Sequence, residues 1–243
     1  MRRSTILFLV IAALVAALCV RLGVWQLGRL SERRAANALV SARLDSAVTT
    51  IAQLPADTAL VRYRRVALRG TFDFENEVVL AGRSRNGSPG VNLLTPLRIA
   101  GRDTAVLVNR GWVYSPNALT IERGRWREPA EVELQGFVNT YQDPTAGPAV
   151  VGAQPRTIRR FDPATLDSLV PHPLPSFYVT ATSPPLAPDG TPAAIEAAPV
   201  RLTPPPLDEG SHLGYAFQWF SFAAIFLGGA GVLAYKQRGG RRA

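Results

Sequence analysis

His212 is one of only two histidines in the chain, and it stands at the mouth of an uncharged run from Leu213 to Tyr235. A neutral imidazole offers a lone pair to a metal, and an ionisable side chain at the edge of a long apolar helix marks a functional position by default. His212, Tyr215 and Trp219 follow at i, i+3 and i+7, which places them on one side of a helix. Trp25 and Arg29 lie at the end of a second apolar stretch near the N-terminus. Brought to one depth, these five side chains could hold a planar amphipathic cofactor, with His212 on the metal, rings against the plane and the guanidinium on carboxylates. They equally describe an aromatic belt at a membrane surface with an arginine among the headgroups. The other histidine, His172, sits between Pro171 and Pro173 and reads as a surface loop residue.

The elements that would position this set are two membrane helices. Ser4 to Val20 carries no charge, and Val24, Trp25 and Leu27 extend its apolar character. Each run approaches the roughly 20 residues that cross a hydrocarbon core. Arg2 and Arg3 precede the first run; Lys236, Arg238, Arg241 and Arg242 follow the second. The bias of basic residues towards the cytoplasm then puts both termini inside and the middle outside. The first run is expected to stay as an anchor, since no small-residue cleavage site follows it. On this reading the chain comprises an N-terminal helix over 1–28, an extracytoplasmic domain over 29–211, a second helix over 212–235 and a basic tail over 236–243. Close approach of the two helices is expected along Ser221, Ala224, Gly228 and Gly231, with Ala13, Ala16 and Ala17 as the matching surface.

The middle reads as mostly β. Short apolar segments recur at 63–74, 76–81, 91–99, 104–113, 131–138, 177–181 and 194–202, with a turn cluster at Asn86-Gly87-Ser88-Pro89-Gly90. Residues 29–52 are rich in alanine, leucine and arginine and read as the first helix continuing outwards. Asp162 followed by Pro163, with Leu166 and Leu169 at helical spacing, predicts one short helix. The expected fold is therefore α+β, two transmembrane helices flanking a mostly antiparallel sheet or small barrel. Within that barrel Trp112 is expected to pack in or against the core, and Gly111 to supply a backbone approach that a side chain would block.

Composition removes several functions. The net charge of +9 comes largely from the termini: six of 27 basic residues stand in the two end clusters, leaving 21 against 18 acidic residues. No basic, aromatic-interleaved patch points to nucleic acid. Nucleophile-elbow, phosphate-loop, dinucleotide and His-Glu-x-x-His patterns are all missing, which disfavours an anchored hydrolase. The one cysteine, Cys19, excludes an internal disulfide. The acidic pairs Asp73/Glu75/Glu77 and Glu131/Glu133 read as a solvated strand face.

Four segments in order carry a family resemblance. They are Leu22-Gly-Val-Trp-Gln-Leu-Gly-Arg-Leu; Tyr63-Arg-Arg-Val with Gly70-Thr-Phe-Asp; Leu94-Thr-Pro-Leu with Val106-Leu-Val-Asn-Arg-Gly-Trp-Val; and His212-Leu-Gly-Tyr-Ala-Phe-Gln-Trp-Phe. In these the chain resembles the Surfeit locus protein 1 family of cytochrome c oxidase assembly factors. The resemblance implies a non-enzymatic integral protein of the bacterial inner membrane that transiently binds haem a. It implies delivery to the oxidase catalytic subunit, haem a synthase as a further partner, contact with membrane lipid, and His212 as the iron ligand. A membrane-anchored scaffold that serves assembly without touching haem is the other function class compatible with these residues.

Overall fold

The computed structural model of the protein describes residues 3–141, 149–151, 154–184 and 198–239. They form two compact units, one made of 1–41 with 206–243 and one of 42–205.

The first unit is a pair of antiparallel helices, α1 (Arg3–Leu44) and α4 (His212–Gly239). Both contain stretches long and apolar enough to cross a membrane. α1 runs on well past residue 28, through most of the alanine- and arginine-rich stretch 29–52 expected to continue it, but stops at Leu44, and Thr49–Thr50 is a short strand instead. Its buried positions Thr5, Ala12, Ala16, Cys19, Gly23 and Leu30 fall mostly three, four or seven apart. That is the 3.5-residue repeat of a helix held against a partner in a left-handed coil. Ala216 and Ala223 answer from α4, and Ala16, Cys19 and Ala223 form its apolar centre with Val15 and Trp219. Gly23 lets the backbone come close: a Cβ there would lie 2.7 Å from the Phe220 ring. At the far end Gln237 Nε2 donates to Thr5 Oγ1 at 2.7 Å. The expected stripe of Ser221, Ala224, Gly228 and Gly231 is not the seam. Gly228 and Gly231 face open space, and Ala13 and Ala17 are exposed. Ala224 follows Ala223 by one residue and so points about 100° around the helix from the contact.

The second unit is a mixed, mostly antiparallel sheet. Its strands are β1 (Thr49–Thr50), β2 (Arg65–Phe72), β3 (Val78–Arg85), β4 (Ser88–Arg98), β5 (Ala105–Tyr114), β6 (Glu131–Thr140), β7 (Thr157–Ile158) and β8 (Phe177–Ala181). Two short helices, α2 (Thr58–Val61) and α3 (Pro163–Leu169), accompany them. Asn86 and Gly87 take positive φ of 51° and 79°, the twist a two-residue hairpin between β3 and β4 requires. Asp162 caps α3 by accepting from the Thr165 N–H at 2.9 Å. Strand order is β1-β2-β6-β8-β5-β4-β3-β7, and β2 also pairs with β4 through Thr71↔Arg98 and Phe72↔Leu97. That extra pairing joins β2, β6, β8, β5 and β4 into a ring, the small barrel among the expected forms. Of the expected 194–202 strand, 194–197 lie outside the described residues. Val200 makes a two-bond bridge to Trp112, at 2.8 Å each way.

Alternate residues Val66, Leu68, Phe72, Val106, Val108, Val132, Leu134, Val138 and Val179 fill the ring. The opposite face carries Leu80, Leu94, Leu107 and Phe161 under α3. Between the inner apolar groups sits a buried cation. Arg110 is 0% exposed; its Nη2 meets Glu77 Oε2 at 2.5 Å and its Nη1 meets Glu128 Oε2 at 3.0 Å. Its Nε donates to Thr95 Oγ1 at 2.8 Å, and Nη1 also donates to the Trp126 carbonyl at 2.7 Å. Arg201 closes on the other oxygen of Glu128.

This network overturns two expectations. Glu77 is not on a solvated face; it is 2% exposed and pairs with Arg110, whereas Glu131 and Glu133 are solvated as expected. And Arg110, not Trp112, goes inside. The β4–β5 register slips between Leu93↔Gly111 and Leu94↔Asn109, so Arg110 is an extra residue in a bulge. A bulge reverses the side-chain alternation beyond it. Trp112 therefore lies half-buried opposite Asn92, with its indole over Gly90. Gly111 does meet its expectation. Its φ is 133°, and a Cβ would stand 2.4 Å from the Val200 carbonyl oxygen. His172 is part-buried, with Nε2 3.3 Å from Asp73 Oδ2, so it is tied to the domain rather than free on a loop.

Arg110→Met should strand the Glu77 carboxylate in the interior and leave Glu128 to Arg201 alone, at a cost of about 3–5 kcal/mol. For a unit of this size that is a fall in Tm of roughly 6–20 °C. Trp112→Ala should cost less, because its ring is only partly buried and lies outside the barrel core. Thermal unfolding of the two variants in detergent tests the ranking; a larger effect at Trp112 would return it to the core.

Candidate functional site

The site is assembled where the chain turns into α4. Arg33 Nε and Asn37 Nδ2, one helical turn apart on α1, both donate to the Asp208 carbonyl, at 3.1 and 2.9 Å. Arg34 forks onto Glu209 with two bonds of 2.8 Å. That hydrogen-bonded guanidinium holds the Glu209 carboxyl below the usual carboxylate range. All these groups are solvent-exposed, so their value lies in register rather than in stability. They hold residues 208–209 against the outer part of α1, and the first helical bond of α4, Tyr215 N–H to the Ser211 carbonyl at 3.0 Å, follows directly.

This register sets His212 on the seam beside Gln26. His212 Nδ1 and Gln26 Oε1 are 2.8 Å apart. An amide oxygen only accepts, so Nδ1 carries the proton and the lone pair of the neutral ring is on Nε2. Nε2 makes no hydrogen bond among the described residues, and the ring is half-buried. An imidazole with one nitrogen held by a carbonyl and the other bare is the form that ligates metals, the held N–H fixing tautomer and ring orientation.

The other expected site residues divide. Trp219 shares the seam with His212, packing on Ala16, Cys19 and Ala223 and meeting Phe222 edge-on at 6.0 Å. Trp25 and Tyr215 point outwards, 55% and 49% exposed. Arg29 is exposed as well and pairs with Glu32 on its own helix. The pair of helices thus brings His212 and Trp219 together on the seam, leaves Trp25 and Tyr215 on its flanks and occupies Arg29 locally. Gln26 was missed as a site residue. It was recoverable: with Cys19 and Gly23 it falls on the 3.5-residue repeat, and it lies in the first of the four motif segments.

Comparison with known proteins gives a consistent picture. The SURF1 family profile matches residues 13–224, from α1 through the first half of α4. A SURF1-like protein of Monosiga brevicollis is 28% identical over 234 residues, covering 91% of this chain and 84% of that protein. One from Drosophila melanogaster is 30% identical over 141 residues, 51% of this chain and 47% of that protein. One from Rickettsia felis is 32% identical over 104 residues, 42% of this chain and 44% of that protein. For the last two, the matched segment therefore spans about half the length of the relative.

The His212 tautomer is directly measurable. With histidine ring nitrogens labelled, NMR of the full chain at pH 8 should show a protonated Nδ1 and a bare Nε2 at one of its two histidines. Gln26→Leu should remove that preference without unfolding either unit. An unchanged Nδ1–H signal in the variant would mean that Gln26 does not set the tautomer.

Proposed function

The chain belongs to the SURF1 family, and from that membership together with the bare Nε2 of His212 we propose that it is an assembly factor for a haem-copper cytochrome c oxidase, binding haem a and passing it to the catalytic subunit. Haem a synthase would be the partner that supplies the cargo. The observation that carries the haem reading is the His212–Gln26 pair: a neutral imidazole with its lone pair free and its ring held from behind. His212 is the proposed iron ligand, with Trp25, Tyr215 and Trp219 supplying aromatic surface along the same stretch of the two helices. Arg29 would serve the propionates by exchanging partners. Its exposed pair with Glu32 is of a kind worth only about 0–1 kcal/mol, so release costs little. Bound haem would supply an iron able to accept a ligand; His212 Nε2 would be that ligand, the aromatic rings would supply surface, and no covalent bond within the cargo would be broken by this chain. One histidine ligand on a half-buried ring suits a carrier that must release what it holds.

The proposed setting is the bacterial inner membrane, crossed by α1 and α4, with both termini cytoplasmic and the β unit outside. Apolar side chains exposed around the helix pair, among them Phe8, Leu14, Leu18, Phe217, Ile225 and Val232, support it, because a helix apolar all round needs lipid or protein about it. The basic clusters at both ends support the orientation.

His212→Ala should leave the amount of protein in the membrane unchanged while reducing haem a recovered from cells that make it by about tenfold or more. Gln26→Leu should have a smaller effect, since it removes the partner that orients the ligand and leaves the ligand itself in place. The absorption spectrum of the purified proteins gives both numbers. Unchanged haem content and spectrum in His212→Ala would leave the scaffold without haem as the better reading. For topology, a reporter active only outside the cytoplasm should work when fused after Thr140 and be silent after Ala243; the opposite pattern would invert the arrangement.

A further inference from the structure

The outer face of the barrel ends in a polar cleft that the oxidase reading does not use. Two residues beyond the apolar rows under α3, each strand changes character: Leu107 gives way to Asn109, Leu94 to Asn92, Tyr178 to Thr180. Register pairs these across the sheet, Asn109 with both Leu94 and Thr180, Thr180 with Phe137, and Tyr178 with Asn139. The result is a cleft of about 310 Å³ with Asn92, Asn109, Asn139 and Thr180 on its floor and aromatic rings around it. That is the small end of the range of ligand sites.

Three independent features show that this surface is built rather than incidental. First, two polar atoms of lining residues are buried without partners among the described residues, Asn92 Oδ1 and Arg83 Nε. Asn92 as a whole is 7% exposed. Such groups cost free energy unless something fills their valence. Second, Arg83 is brought to this face by a register shift in β3 between Leu80 and Arg83. Both residues line the cleft although three apart, which a regular strand would put on opposite faces. Burial pushes the Arg83 guanidinium below its ordinary value, and no carboxylate among the described residues pairs with it; its Nη2 donates to the Arg159 carbonyl at 2.6 Å. Third, Tyr63 enters the cleft from a left-handed backbone, φ 67°, an uncommon and strained state for a bulky side chain. Its ring is held between Phe137, 6.2 Å away, and the Arg62 guanidinium at 4.8 Å.

The open valences specify a ligand. Arg83 brings a positive charge and a buried Nε–H without a partner, and among the described residues no acidic side chain lines the cleft. Asn92 Oδ1 needs a donor. Burial pushes the Tyr178 hydroxyl up to about 12 against the pull of Arg62 and Arg83, so it remains a neutral donor at physiological pH. A carboxylate with an N–H on the neighbouring carbon answers both orphans, and the walls of Tyr63, Phe137 and Phe161 accept a small apolar side chain. We propose that this cleft binds an α-amido carboxylate, the group presented by a polypeptide C-terminus and by a free N-acyl amino acid, with the carboxylate on Arg83 and the amide N–H on Asn92.

The full chain in detergent can be titrated with N-acetyl-alanine, N-acetyl-alanine amide and the peptide acetyl-Gly-Gly-Ala, following chemical shifts of the probe and of Asn side chains. N-acetyl-alanine should bind saturably in the millimolar range. The amide, which lacks only the charge, should bind about tenfold more weakly or worse, in line with the strength of charge-assisted hydrogen bonds. Arg83→Gln should lose the distinction between the two, and Asn92→Asp, which sets a carboxylate against the ligand's own, should abolish binding of both acids. Tighter binding of the peptide would identify a polypeptide C-terminus as the source, and equal binding a free small molecule. Saturable binding of neither acid, or equal binding of N-acetyl-alanine and its amide, overturns the proposal and leaves water as what satisfies Asn92 and Arg83. Haem content is not a readout here, so failure of this site and failure at His212 are separable.

Discussion

Arg110 is the point on which the β unit turns. A guanidinium with no exposed surface is tolerable only if its charge and its donors are answered, and here they are, by Glu77, Glu128, Thr95 and the Trp126 carbonyl. Those partners come from the start of β3, from mid-β4 and from the segment before β6. They meet where the edge of β4 passes from β3 to β2, the place at which the ring of strands closes. Hydrophobic burial supplies most of the driving force for such a barrel, but it is not directional. A buried ion pair with one geometry selects a single register among those that apolar rows alone would permit. Breaking the set is therefore more costly than never having had it.

The bulge at Arg110 also governs the outer surface. Beyond it the parity of β5 is reversed, so Trp112 is delivered to the face that carries Asn92. A second register shift, in β3, brings Arg83 to that same face. Two irregularities thus redistribute charge and aromatic surface between the inside and outside of one sheet. Neither requires an extra element, only one more residue in a strand.

Much of the molecule was legible in the sequence, and what was not has a common cause. Strand positions, the Asn86-Gly87 hairpin, the Asp162 cap and the continuation of α1 all follow from local patterns: alternation, turn chemistry and side-chain capping. What escaped depends on register. Trp112 is the larger and more apolar of the pair and reads as packed in or against the core, but the break in alternation between it and Arg110 is fixed by pairing with β4. Glu77 looked solvated because its partner is 33 residues away in the chain. The seam between α1 and α4 was sought along the most conspicuous small residues of α4. The 3.5-residue repeat of Thr5, Ala12, Ala16, Cys19 and Gly23 on α1 held the answer. At the candidate site His212 was visible from its type and place. Gln26 lies on the same repeat and in a motif segment, but its contact with His212 shows only once the two helices are set in register.

That register has a bearing on how the protein comes into being. α1 ends at Leu44 and α4 begins at His212, so the first helix is finished almost 170 residues before its partner emerges. At synthesis rates of roughly 5–20 residues per second this is an interval of about 8–34 s. Throughout it the seam of α1 lies open, with Thr5 and Gln26 lacking the side chains that later satisfy them. The imidazole and the amide that holds it stand 186 residues apart in the chain, and neither half of the pair has its mate until α4 has been made. A nascent chain that stops short of α4 consequently holds Gln26 without the imidazole it orients, and the seam gains that pair only when α4 is added.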